Sequence, residues 1–387
     1  MRVALVHDWM VRPGGGERVL WGLHLAFPDA PIYTSFYDPA ALPEFRGCDV
    51  RTSFLQRWPF SRINHQFFPS LRAIAFESFD FADFDLVISS SSAEAKGVLT
   101  PPETLHISYI FTPTRYYWSD YHGYRANPGF GRLNPVIRAV MPLAVSRRRL
   151  WDFAAAQRPD RLIADSRNVA ERIEKYYRRR ADAVIYPPID LAHFTLGPGD
   201  GDAYIVVSRF TPYKRVDLAI SACEQLGRPL RIVGAGPEED RLRRMAGPNT
   251  VFLGTLDDDA LAAEVGRAKA LLFPTDEDFG MVPLEAMASG RPVVAFGKGG
   301  ALETVIDGTT GVLFPEQTAD SMAAAIERLE KLEFDPAVLR AHAATFDTDH
   351  FVASMQAFVT SAMTSVGSAG DDDDRAPRGL RPVRRDS

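Results

Sequence analysis

The sequence has little cysteine: only Cys48 and Cys223, far apart in the chain. Two lone thiols leave no disulfide framework and no metal-type spacing, and they suit a reducing compartment. A long apolar run is also missing. No stretch approaches the roughly 18–20 apolar residues that a membrane-spanning helix needs. The opening run Met1-Arg2-Val3-Ala4-Leu5-Val6 meets His7-Asp8 at once, which reads as a buried strand and not as an export segment. A cytoplasmic protein is therefore expected. Excess positive charge is absent, since the formal net charge is −6, and this argues against general nucleic-acid binding. Neither a G-x-G-x-x-G fingerprint nor a Gly-Lys-Ser/Thr loop occurs, so dinucleotide and Walker-type sites are not indicated. Internal repeats are not seen.

What is present points to two domains. A chain of 387 residues with 46% hydrophobic content exceeds one ordinary core. It suits two domains of roughly 150–200 residues each. Strand and helix patterns alternate. Residues 2–7 read as a strand, followed by a glycine-rich turn and a helix over 17–27. Residues 86–89, 105–111 and 162–165 read as buried strands. Tyr186-Pro187-Pro188 and the turn-rich run 197–202 interrupt the pattern, which then restarts. Strands are expected at 204–208, 230–233, 251–253, 270–273 and 293–295, with helices at 217–226, 238–245, 258–267 and 283–288.

The expectation is an α/β protein of two doubly wound, Rossmann-like domains facing a cleft. The first covers 1–190 and the second 200–348. A helix over 349–366 crosses back to the first domain. Residues 367–387, where five aspartates balance five arginines, read as a disordered tail.

Ligands in such sheets sit beyond the carboxyl ends of the strands. After the first strand stands Pro13-Gly14-Gly15-Gly16-Glu17-Arg18. Backbone amides there can approach an anion at a helix start, so a phosphate site and a plain tight turn both fit. After the strand at 204–208 stands Arg209-Phe210-Thr211-Pro212-Tyr213-Lys214. A guanidinium fork and a lysine point charge suit a departing diphosphate; two solvated cations on a surface turn are the alternative. Gly234-Ala235-Gly236 and Gly254-Thr255-Leu256 are glycine turns at strand ends, where a nucleoside could lie against backbone.

The strongest segment is Glu277-Asp278-Phe279-Gly280-Met281-Val282-Pro283-Leu284-Glu285. A buried strand runs into an acidic loop, Gly280 permits close backbone approach, and proline is tolerated in the first helical turn. Glu277 and Glu285 thus straddle a helix start whose free amides, from Phe279 to Val282, can meet a phosphate. The two carboxylates can accept from hydroxyls on either side. Read alone, the pair also suits a two-carboxylate hydrolase or a capped surface helix.

At these residues the chain resembles a retaining glycosyltransferase of family four, with the GT-B architecture. Glu277 and Glu285 match the E-x7-E motif of that family, and Glu285-Ala286-Met287-Ala288-Ser289-Gly290-Arg291-Pro292-Val293-Val294-Ala295 continues the likeness, as does Gly299-Gly300-Ala301-Leu302-Glu303. In the first half, Leu5-Val6-His7-Asp8-Trp9, Gly14-Gly15-Gly16-Glu17, Thr112-Pro113-Thr114-Arg115-Tyr116 and Tyr186-Pro187-Pro188-Ile189-Asp190 are similar to the bacterial O-antigen mannosyltransferase subgroup. The resemblance implies that Arg209 and Lys214 hold the donor diphosphate, helped by backbone at Gly15, Gly16 and Met281. Glu277 would hold the transferred sugar, Glu285 the ribose and Leu256 the base. Arg209, Lys214 and Glu277 are the implied catalytic residues. Gly236, Phe279, Gly280 and Val282 complete the implied donor site. No metal and no cofactor beyond the sugar nucleotide are implied. Phe111 departs from the subgroup, which has His before Thr-Pro, and Phe cannot hydrogen-bond a sugar hydroxyl.

The implied reaction moves a hexose, mannose from GDP-mannose, to a glycan or polyprenyl-linked acceptor in cell-surface polysaccharide synthesis. A non-hydrolysing sugar-nucleotide epimerase or a non-catalytic sugar-binding scaffold of the same fold is the alternative. Residues 57–69 and 136–151 mix aromatics with arginines, and residues 132–180 carry 13 Lys and Arg against 5 Asp and Glu. That pattern suits peripheral contact with an anionic membrane, the inner face of the plasma membrane, although core packing with a charged rim explains it equally.

Overall fold

The computed structural model describes residues 1–57, 69–126, 134–198 and 201–371. Two parallel sheets organise them. The first is built from β1 (Val3–His7), β2 (Ile32–Thr34), β3 (Val50–Thr52), β4 (Leu86–Ser91), β5 (Leu105–Ile110), β6 (Arg161–Ala164) and β7 (Ala183–Val184), in the order β3-β2-β1-β4-β5-β6-β7. The second holds β8 (Tyr204–Val207), β9 (Leu230–Val233), β10 (Thr250–Gly254), β11 (Leu271–Phe273), β12 (Val293–Phe296) and β13 (Gly311–Phe314), in the order β10-β9-β8-β11-β12-β13. Every pairing is parallel. Continuous apolar runs such as Tyr204-Ile205-Val206-Val207 suit strands covered by helices on both faces.

Helix ends follow local chemistry. Ser166 accepts from Val169 N at the start of helix Arg167–Tyr177, Asp257 from Ala260 N at Asp258–Arg267, and Thr318 from Ser321 N at Ala319–Leu329. The long helix Asn134–Ala155 is fastened at a buried point. Fully buried Asp152 accepts from Lys96 Nζ at 2.6 Å, Thr114 Oγ1 at 2.8 Å, Trp118 Nε1 at 2.7 Å and Tyr177 OH at 2.9 Å. Four donors leave that carboxylate no unmet acceptor need.

The last helix, Thr348–Asp371, leaves the second domain and packs on the first. Phe351, Met355, Val359 and Ala362 join the core of Leu5, Leu20, Leu23 and Tyr109. The helix runs past 367, so the low-complexity stretch begins inside it. Residues 372–387 lie outside the described residues.

In each sheet the order in which strands are added reverses once, between β1 and β4 and between β8 and β11. Those switch points open crevices at the carboxyl ends of β1 and β11. The loops leaving these strands carry Gly14 to Arg18 and Glu277 to Met281.

Candidate active site

The two crevices meet. Gly15 lies so near the second domain that a Cβ there would stand 3.1 Å from Met281 Sδ. Gly280 has φ +88°, in the left-handed region, and a Cβ there would stand 2.9 Å from the Phe273 ring. It caps helix Met281–Ala288, so the helix begins two residues before the expected 283, and Met281 and Val282 sit in its first turn. Phe279 is buried and stacks on Tyr186, ring centroids 5.4 Å apart.

Glu277 precedes this helix and Glu285 lies within it. Lys214 Nζ stands 2.5 Å from Glu277 Oε1. Burial pushes the Glu277 carboxyl up, but Lys214, Arg115 and Arg209 outweigh it and hold the pKa below the ordinary value. Glu277 is thus an ionised acceptor in a cationic setting. Lys214 comes from the turn Pro212–Lys214 after β8. Arg209 stands exposed just beyond β8 and has no ion pair among the described residues. Partial desolvation and then Arg209 hold the Arg12 guanidinium below its ordinary range. Arg12 and Arg209, from different domains, therefore repel one another, which suits a site for a polyanion.

Glu285 is almost buried, its side chain 5% exposed, and pairs with Arg18 of helix Gly15–Ala26. Leu256 sits between β10 and helix Asp258–Arg267, partly buried against the second-domain core. Gly236 plays a packing part: a Cβ there would meet the Phe210 backbone oxygen at 2.6 Å. Gly16 covers His7 and Phe111, whose rings meet edge to face at 6.2 Å. His7 Nδ1 bonds Ser90 Oγ at 2.8 Å, and burial drops its pKa to about 4, so the ring is neutral. Burial pushes the neighbouring Glu17 carboxyl up to about 7.

The structure therefore gathers Gly15, Gly16, Arg209, Lys214, Glu277, Gly280, Met281 and Glu285 around one cleft. It adds Arg12, Arg18, Arg115 and Asp278, to which sequence reasoning gave no role. Arg115 was visible inside Thr112-Pro113-Thr114-Arg115-Tyr116, but its partner Asp278 lies 163 residues away. Among the described residues, no three His, Cys, Asp or Glu side chains converge as a metal site.

Between residues 134 and 180, Arg138, Arg147, Arg167, Arg178 and Arg180 stay exposed, while Arg148, Arg149 and Trp151 are half-buried. Arg148 bonds Tyr117 OH at 3.3 Å, Arg149 stacks over Tyr121 at 4.6 Å, and Trp151 Nε1 donates to Glu77 at 3.0 Å. These side chains are turned into the fold. The aromatic-rich run at 58–68 lies outside the described residues. No described helix is long and apolar enough to cross a membrane.

Residues 188–345 match the family model "Glycosyl transferases group 1". A D-inositol 3-phosphate glycosyltransferase of Geodermatophilus obscurus is 31% identical over 262 residues, 58% of this chain and 57% of that protein. A GDP-mannose-dependent alpha-(1-6)-phosphatidylinositol monomannoside mannosyltransferase of Mycolicibacterium smegmatis is 35% identical over 148 residues, 34% of this chain and 39% of the other. The chain spans about half the length of the curated relatives it matches. Among solved structures, HepE of Anabaena in complex with UDP superposes with a TM-score of 0.69 at 19% identity, covering 93% of this chain and 100% of that one. Sucrose-phosphate synthase of Thermosynechococcus elongatus gives 0.71 at 18% identity, covering 94% and 100%. At such identities the likeness is one of fold: two Rossmann-like domains facing a cleft, the GT-B arrangement. The group 1 match lies in the second domain.

Proposed function

We propose that this chain is a retaining hexosyltransferase that moves mannose from GDP-mannose to a glycan or polyprenyl-linked acceptor in cell-surface polysaccharide synthesis. The observation that carries the reading is the Lys214–Glu277 contact, set between two crevices and flanked by Arg209 and Arg115. An ionised carboxylate among cations can accept from sugar hydroxyls while the cations take the diphosphate. The GDP-mannose-dependent relative supports the choice of donor.

In the proposed reaction the bond from the hexose anomeric carbon to the diphosphate oxygen breaks. The acceptor oxygen attaches on the same face, and the leaving phosphate takes the acceptor's proton. Lys214 and Arg209 stabilise the charge that builds on the leaving oxygen. Glu277 holds the hexose hydroxyls and Glu285 the ribose, while backbone at Leu256 lies against the base. No metal takes part.

The acceptor side supports a membrane-borne acceptor. Val136, Val140, Leu143 and Leu150 of helix Asn134–Ala155 are 60%, 56%, 63% and 72% exposed, and their spacing puts them on one face with exposed Arg147. This face docks on the anionic inner leaflet. Flotation with anionic but not zwitterionic vesicles is expected; no binding to either counts against docking.

A panel of sugar nucleotides tests the donor. Thermal stabilisation is expected with GDP-mannose, about 2.7 kcal/mol at a hundredfold excess over the dissociation constant. Transfer to an acceptor, with no change of a donor incubated alone, separates this reading from an epimerase. Stabilisation by another sugar nucleotide alone replaces the donor.

A further inference from the structure

The carboxylate of Asp278, the neighbour of Glu277, is taken up by two arginines. Its Oδ2 accepts from Arg115 Nε at 2.8 Å and Nη2 at 2.6 Å, and its Oδ1 accepts from Arg172 Nη1. Its backbone carbonyl accepts from Ser166 Oγ at 2.8 Å and Asn168 Nδ2 at 3.3 Å. All four partners belong to the first domain. Nearby, Glu303 of the second domain accepts the free amides of Arg167 at 2.8 Å and Asn168 at 3.0 Å, at the start of helix Arg167–Tyr177. The Asp278 side chain is 12% exposed and that of Arg115 15%, so the pairing is shielded from water.

On its other side the same loop is held by its own domain. Gly300 N donates to Glu277 O at 2.9 Å, and the Phe279 ring lies tilted against Phe346, centroids 5.8 Å apart. Residues 277 to 279 are thus clamped from both domains. Without Asp278, Arg115 and Arg172, both of the first domain, would be left as neighbouring like charges at the joint, so the joint needs that carboxylate.

We infer that Asp278, held by Arg115 and Arg172, is the catch that locks the two domains in register and thereby positions Glu277. Asp278, Arg115 and Arg172 are positioning residues: they set where the Glu277 carboxylate stands. A small misplacement of such a group costs far more in turnover than in donor binding. The effect on turnover rests on the hexosyltransfer reading; the domain catch itself does not.

The test uses the full chain with Asp278→Asn, Arg115→Gln and the double variant, with circular dichroism as a check of folding. Small-angle scattering of the unliganded proteins is expected to show a larger radius of gyration in each single variant, with no further growth in the double, since both lose one joint. With the best-stabilising sugar nucleotide, kcat is expected to fall about 30-fold or more, as when a buried charge pair loses one partner. Donor KM should change by less than roughly threefold. Scattering identical to the unaltered chain overturns the catch, as do kcat losses that multiply fully in the double variant. If Asp278→Asn fails to fold, Arg172→Gln is judged by the same criteria. Should the unaltered chain transfer no hexose to any acceptor, the functional reading fails while scattering still decides the catch.

Discussion

Lys214 Nζ and Glu277 Oε1 stand 2.5 Å apart, one from the turn after β8 and the other from the loop after β11. These strands are neighbours at the switch point of the second sheet, so the contact follows from the topology. The pair has separable duties. Glu277→Gln is expected to lower kcat by about 10²–10³ and still be stabilised by the nucleoside diphosphate, because Arg209 and Lys214 remain. Lys214→Met is expected to lose both. Steady-state kinetics beside thermal shifts check this, and full turnover in Glu277→Gln would contradict the assigned role.

Glu17 provides a pH dependence. Burial raises its pKa from 4.5 to about 7 at the start of helix Gly15–Ala26, beside the Gly14 to Gly16 loop. Below about 7 the carboxyl is neutral; above it, a negative charge faces the proposed phosphate site. Donor KM is therefore expected to rise as pH increases through 7, and Glu17→Gln to flatten the profile. The folded chain also holds a proton that the unfolded chain releases between 4.5 and about 7. That contribution to stability is complete below 4.5 and is lost as pH rises to about 7, so the melting temperature of Glu17→Gln should decline less over that window.

Arg18 occupies the carboxylate of Glu285, which is 5% exposed. Arg18→Ala strands that acid in the unliganded protein. A loss of about 1–3 kcal/mol is expected, toward the lower end because Arg18 is 37% exposed and screened. If ribose hydroxyls take the place of Arg18, saturating donor should recover most of the loss. Denaturant melts with and without donor measure it, and an equal loss in both speaks against ribose binding at Glu285.

Gly22 is the point where the last helix rests on the first domain. A Cβ there would lie 2.8 Å from two Phe351 ring carbons and 3.2 Å from Pro188 Cγ. Gly22→Ala is expected to cost about 1–3 kcal/mol through overpacking, read as a lower urea midpoint. Gly123→Ala, where nothing lies within 4 Å, serves as the control.

The glutamates were legible because their setting is local. A strand, a glycine at φ +88° and a proline-bearing first turn put Glu277 and Glu285 at the start of one helix, and each signal acts over a few residues. The alternating strands were legible for the same reason, since buried parallel strands read as short apolar runs. Short edge strands such as β3 and β7 were not, because two or three residues carry too little periodicity.

The sequence by itself therefore determined the two doubly wound units, the turns after their strands and the spacing of the acids. Only the tertiary structure decided which charges face those acids. Arg18 meets Glu285 across 267 residues and Arg115 meets Asp278 across 163. The same step turned Arg148 and Arg149 from an expected surface patch into packing against Tyr117 and Tyr121. Charge pairing falls off with distance in space and is blind to distance along the chain. Arg18 and Arg115 therefore have no readable partner in the second domain until the sheets are formed and the domains are brought together.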